Sequence, residues 1–198
     1  MSDIRNALKE LSSVHNKYQI HGHYLASHAV RANWSSELPR SSELDILYNE
    51  YDPVGVRIET GLTPLKMFEA NLLEKAQLGY RWINVGGEVE LNSEWPQQRL
   101  IIMDDVGGGK PIIADTDVES TPVLASYDAV EPFLIADSLA DFILALARLV
   151  DIVYGEFNIF DLSDDESVSG AFLTRLNDEI SPILGQDNIA RFVDYFYG

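Results

Sequence analysis

A chain of 198 residues with 46% hydrophobic residues suits one folded domain, with room for an appendage, and its composition excludes a disordered chain. It has no cysteine, which excludes disulfides, thiolate metal sites and a cysteine nucleophile. The formal net charge of −18 is uneven: residues 1–100 carry 13 acids and 10 bases, residues 101–198 carry 19 acids and 4 bases. Such a field repels nucleic acid and anionic lipid and speeds encounter with basic partners.

The first residues, MSDIRNALKEL, mix acids with bases and lack the apolar run of a secretory signal. No stretch approaches the roughly 18 apolar residues of a membrane span, so a cytoplasmic protein is expected. Ile4, Ala7, Leu8 and Leu11 recur at helical spacing and predict a short amphipathic helix over residues 3–12. Residues 13–33 hold all four histidines, His15, His21, His23 and His28. Two readings stand: His21 and His23 on a strand with His28 as zinc ligands, or a solvated cluster. No acid between Glu10 and Glu37 orients a ligand set, which favours the solvated cluster and no metal.

After Pro39, Ser41 or Ser42 predicts a helix N-cap, with Glu43 and Asp45 in the first turn where the dipole favours them. Leu44, Leu47, Tyr48 and Tyr51 give its buried stripe, and Pro53 ends it. Val54, Val56 and Ile58 alternate with polar residues as a half-buried strand, and residues 62–68 predict another short strand. Leu72, Leu73, Ala76 and Leu78 suggest a helix closed by Gly79. Tyr80, Trp82 and Ile83 read as a strand, and residues 86–95 as a polar loop. Trp82 and Trp95 suit core packing beside a sheet better than an aromatic ligand wall.

Residues 100–103 and 111–114 predict two strands joined by a loop of two aspartates and three glycines. A phosphate-binding loop is excluded, because Pro111 stands where the hydroxyl residue belongs and a strand follows instead of a helix. The glycines instead permit a sharp turn at positive φ. Residues 121–127 predict a third strand and so an antiparallel meander. Ser138 with Asp141 predicts a capping-box helix start, and Leu139, Phe142, Ile143, Leu146, Leu149 and Val150 form its apolar stripe. Asp161, Asp164, Asp165 and Glu166 in a linker lack the ligand alternation and glycine of a calcium loop. Val168, Phe172, Leu176 and Ile180 predict a helix before Pro182, and Ile189, Phe192, Val193 and Phe196 a final one.

The stretch W-P-Q-Q-R-L-I-I-M-D-D-V-G-G-G-K-P-I-I-A-D-T at 95–116 is followed by P-V at 122–123 and I-A-D-S-L-A-D-F at 135–142. In that order it resembles the SUKH superfamily, which contains bacterial toxin-immunity proteins and fungal cell-wall-synthesis regulators. E-L-P-R-S-S-E-L-D-I-L-Y at 37–48 and G-Y-R-W at 79–82 are similar to earlier segments of that family. The resemblance spans about residues 34–150 as a series of short matches, and departs at 52–55, D-P-V-G, where the family usually has an asparagine-glycine turn. It implies a binding protein that neutralises a cognate, nuclease-like toxin, or else a regulatory scaffold for cell-envelope synthesis.

The expected fold is α+β: a twisted, mainly antiparallel sheet with packed helices over residues 1–154, and a helical extension over 155–198 packed on the domain or at a dimer contact. The sequence holds no recognisable nucleophile, metal set or cofactor loop, so neither enzyme activity nor a cofactor is expected. The implied partner is a basic protein, a cognate toxin domain, rather than nucleic acid or membrane. Its expected docking surface is Asp104, Asp105, Asp115, Asp117 and Glu119, with Trp95 as an aromatic anchor.

Overall fold

Ten strands and six α-helices organise the structure, a computed structural model that describes residues 2–26, 35–127, 131–158, 162 and 168–198. The helices are α1 (Ile4–Lys17), α2 (Ser42–Glu50), α3 (Leu73–Ala76), α4 (Leu139–Asp151), α5 (Gly170–Leu184) and α6 (Gln186–Tyr197). The strands are β1 (His23–Ala26), β2 (Tyr51–Val54), β3 (Arg57–Ile58), β4 (Leu65–Met67), β5 (Trp82–Val85), β6 (Glu88–Leu91), β7 (Arg99–Asp105), β8 (Ile112–Asp115), β9 (Val123–Ala125) and β10 (Phe133–Ala136). Six strands form one sheet in the order β10-β9-β8-β7-β4-β3, with every neighbouring pair antiparallel. Strands β1 and β2 form one two-stranded ribbon, and β5 and β6 another. The architecture is α+β with helices at its C-terminal end.

Strand alternation decides what the sheet buries. Leu100, Ala114 and Val123 stand in register across β7, β8 and β9, as do Met103, Ile112 and Ala125. All six belong to the main core. A bulge between Ile101 and Met103 sets both Ile102 and Met103 against Ile112, and both join that core. Ile101 and Ile113 pair on the opposite face; they are buried but lie outside the main core.

Helix α4 carries the largest buried stripe and lies between α1 and α5, with α6 beside α5 and along β10. Its start follows the sequence pattern: Asp141 N donates to Ser138 Oγ at 3.0 Å, and Ser138 Oγ donates to Asp141 Oδ2 at 2.7 Å. Phe192 of α6 meets Phe142 of α4 edge-on at 6.3 Å. Beyond it, the Tyr195 hydroxyl donates to Lys110 O and the Tyr197 hydroxyl to Thr60 O at 2.8 Å. The end of α6 therefore closes the β3–β4 and β7–β8 loops at one end of the sheet.

One side chain replaces a strand. The pairing of β4 with β7 ends just past Met67, where Phe68 N donates to Ile102 O at 3.0 Å. Gln77, fully buried, takes over: its Nε2 donates to Ile101 O at 2.9 Å and its Oε1 accepts from Ile101 N at 3.0 Å. Its second amide hydrogen goes to Leu73 O at 2.9 Å, so every Gln77 polar atom is bonded. The apolar stripe expected through Leu78 is thus displaced: Gln77 is buried and Leu78 is 49% exposed.

Several boundaries differ from expectation for identifiable reasons. Helix α1 runs on to Lys17 and buries His15, whose Nε2 lies 3.1 Å from His21 O. His21 Nδ1 lies 2.9 Å from Gly55 O, and His28 lies outside the described residues. Gly22 has φ +88°, and a Cβ there would meet the Gly55 carbonyl carbon at 2.5 Å, so the chain passes too closely for any side chain. Tyr51 starts β2 instead of extending the α2 stripe. The expected loop at 86–95 folds as β6 after a Gly86–Gly87 turn, and β10 forms where no strand was expected. Pro182 lies inside the last turns of α5, and Val168 precedes that helix. Asp161, Asp164, Asp165 and Glu166 lie outside the described residues.

Candidate functional site

The face of the sheet carrying Ile101 and Ile113 holds a groove of about 510 Å3. Its floor is Pro111, Ile113 and Ser126, and its wall is Tyr80 and Trp95. The two rings meet edge to face at 5.5 Å. Trp95 is oriented by its indole N–H, which donates to Arg99 O at 3.2 Å. The loop that carries it is fixed by Asn92. That side chain donates to Tyr80 O at 2.8 Å and accepts from Glu94 N at 3.1 Å. Buried Arg81 joins this loop to the segment before α2, donating to Gln97 O and to Glu37 O, each at 2.8 Å.

Arg99 lies within the groove, its side chain 19% exposed. Asp115 Oδ2 and Glu131 Oε1 each approach its guanidinium at 3.9 Å, too far for a hydrogen bond. Its buried Nε has no acceptor among the described residues. The site thus offers a partly exposed guanidinium, an aromatic wall, and a rim bearing Glu94 and Glu131. This set can hold a protein loop: a carbonyl or carboxylate on Arg99, an apolar or cationic side chain against the rings, and basic side chains at the rim. Among the described residues no group of three or more His, Asp or Glu side chains is placed to hold a metal ion.

The six residues expected to bind a partner fall into two groups. Successive turns of a meander lie at opposite ends of the sheet, so the β7–β8 turn carrying Asp104 and Asp105 is one strand length from the β8–β9 turn carrying Asp117 and Glu119. Trp95 and Asp115 lie at the second end, where Arg99 pairs with Asp115 in register.

Asp104 and Asp105 are turned onto their own loop. Asp104 Oδ1 accepts from Asp105 N at 2.8 Å, Lys110 N at 2.9 Å and Gly109 N at 3.2 Å. Asp105 accepts from Gly107 N and Lys110 N, each at 3.2 Å. Burial pushes the Asp104 carboxyl up to about 6, assisted by the neighbouring Asp105. Gly108 and Gly109 have φ of +78° and +119°, the turn chemistry the glycines predicted. Lys110 Nζ lies over the Tyr127 and Tyr195 rings at 5.4 and 5.9 Å.

The other acidic turn is rigid by different means. Asp117 N donates to Asp115 Oδ1 at 3.2 Å. Buried Thr121 donates through Oγ1 to Ser41 Oγ at 2.7 Å, and Leu139 N donates to Ser120 O at 3.1 Å. The starts of α2 and α4 therefore hold this turn, leaving Asp117 and Glu119 exposed upon it. The sequence reading missed Tyr80, Arg99 and Glu131. Arg99 was accessible to it, since Arg99 and Ile101 alternate onto one face of β7; Glu131 is brought by the β9–β10 connection and has no local signal.

Comparison with family models, with curated proteins and with solved structures returns no match.

Proposed function

We propose that this chain is a non-enzymatic binding module that docks a basic protein, a nuclease-like toxin domain, and blocks it. The observation that carries the proposal is the groove around Arg99, with its partly exposed guanidinium, its Tyr80–Trp95 wall and its acidic rim. A nuclease presents cations to phosphates, and a fixed acidic surface beside an aromatic pocket is complementary to such a face. Asp115, Asp117 and Glu119 extend that surface on a rigid turn, which lowers the ordering cost of binding. The net charge of −18 favours fast, steered encounter.

The test is co-purification from the native host, followed by binding kinetics at low and high salt. A basic partner is expected, with an association rate that falls as ionic strength rises. Trp95→Ala should weaken binding by about 2 kcal/mol, roughly 30-fold, as an aromatic anchor would. Trp95→Phe should cost less, because it keeps the wall and loses only the bond to Arg99 O. An acidic partner with a salt-independent association rate overturns the electrostatic mechanism. A partner from cell-envelope synthesis moves the assignment to a regulatory role.

A further inference from the structure

Outside the groove, the exposed large hydrophobic residues concentrate on the β5–β6 ribbon. Val85, Val89 and Leu91 are 48%, 60% and 55% exposed, and Leu78, bridged to Trp82, is 49% exposed. Every residue of β6 is exposed. The register, Trp82 with Leu91 and Asn84 with Val89, places Trp82, Val89 and Leu91 on one face of the ribbon. Glu88 and Glu90 stand on the other face, opposite Val85 and Ile83.

The hydrogen-bond parity of the ribbon fixes which backbone groups point outward. Asn92 N donates to Arg81 O at 2.7 Å, so Arg81 with Asn92, Ile83 with Glu90 and Val85 with Glu88 are the bonded pairs. Trp82 accordingly turns away from β6, donating to Gln77 O at 3.2 Å and accepting from Gly79 N at 2.7 Å. On β6 the outward N–H and C=O groups are therefore those of Val89 and Leu91, and no described residue bonds them. This is an open strand edge with apolar side chains, the template that extended segments add to. Beside it, Leu78, Trp82 and Val89 wall a cavity of about 610 Å3 whose rim carries Glu37 and Glu74, with Lys75 as its one base among the described residues.

We propose that the outer edge of β6 is a second docking surface, which takes an extended strand alternating apolar and basic residues from another protein. The strand pairs with Val89 and Leu91. Its apolar side chains lie on the Trp82–Val89–Leu91 face, one of them in the adjoining cavity, and its basic side chains meet Glu88 and Glu90 on the reverse. A second copy of this chain does not fit: antiparallel pairing of β6 with itself sets the glutamates of one copy against those of the other, and like charges across strands repel. The inference does not rest on the identity of the partner that the groove binds.

The experiment measures amide hydrogen exchange by NMR on the full chain, with a short peptide alternating lysine and valine as the probe. The expected result is slowed exchange at Val89 and Leu91. Val89→Pro removes one outward donor but no bond within the ribbon, a position where an edge strand tolerates proline. It should raise the peptide's dissociation constant about tenfold or more. A peptide alternating glutamate and valine should not bind, and Trp95→Ala should bind the lysine peptide as the wild type does. Equal binding by Val89→Pro or by the glutamate peptide overturns the proposal, as does protection confined to the Trp95 loop. Protection at Val89 and Leu91 that grows with protein concentration alone overturns the choice of occupant in favour of a second copy.

Discussion

At the scale of single residues, two carboxyl groups make stability depend on pH in an unusual direction. Burial pushes Asp104 from 3.8 up to about 6, and Glu43 from 4.5 up to about 7. Glu43 faces the Ala140 and Leu139 amides at the start of α4, which oppose the shift, and nearby Asp141 and Asp3 add to it. A carboxyl whose folded pKa is raised binds more protons folded than unfolded, so its stabilisation is complete below the unfolded value and is lost as pH rises through the folded one. The melting temperature should therefore rise as pH falls from about 7 toward about 4. Asp104→Asn keeps an acceptor for the Asp105, Gly109 and Lys110 amides, so it should flatten the part of the profile below about pH 6 without unfolding the loop. Melting curves across that range check both statements; a wild-type profile that drops monotonically with acid counts against them. Residues with a local job were legible in the sequence, such as Ser138 at its cap and the glycines at their turn. Arg81 and Gln77 were not, because their partners lie on segments that only the fold brings near.

Among elements, α6 carries more than its length suggests. It fastens to α4 through Phe192, to β10 through Arg191, which donates to Leu134 O at 3.3 Å, and to two loops through Tyr195 and Tyr197. Phe192→Ala should destabilise the whole chain by about 3–5 kcal/mol, the range for truncating a buried phenylalanine. Urea denaturation measures it; a loss below about 1 kcal/mol would mean that α6 frays independently of the core. Helices α4, α5 and α6 were legible because each buries one stripe at helical spacing. Strand β6 was not, because both its faces are exposed and its alternation of Glu with Val and Leu resembles loop composition. Strand β10 was hidden by its closeness to α4: only Asp137 and Ser138 separate an apolar strand from an apolar helix.

For the whole molecule, charge balance sets the response to salt. The 32 acids outnumber the 14 lysines and arginines, and ion pairs such as Arg5–Glu50 at 2.6 Å and Lys17–Asp151 at 2.7 Å are solvent-exposed and screened, so they stabilise little. A net charge of −18 sets up self-repulsion in the folded chain, and salt screens it over about 10 Å at 0.1 M. The melting temperature should rise as sodium chloride is added at neutral pH; a fall would show that the ion pairs dominate. The α+β class was legible from the order of elements, but the sheet order was not. Pairing of β4 with β7 leaps over β5 and β6, and nothing local in residues 62–105 signals that crossing. The opposite placement of the two acidic turns follows from any meander, so it was implicit in the three strands already predicted.

The amide of Gln77 has a consequence for solubility. By occupying Ile101 it covers the part of β7 that β4 does not reach, within a run, Leu100 to Met103, that is apolar, uncharged and rich in β-branched residues. Segments of that kind nucleate cross-β assembly when their edge opens. Gln77 therefore acts as a gatekeeper that sits away in sequence from the strand it guards. Gln77→Leu keeps the side-chain bulk and removes both bonds, leaving the Ile101 amide and carbonyl without a partner. The variant should form thioflavin-positive aggregate on incubation below its melting temperature, while the wild type stays clear. Soluble Gln77→Leu protein with unchanged exchange at the Ile101 amide would show that another group covers that edge.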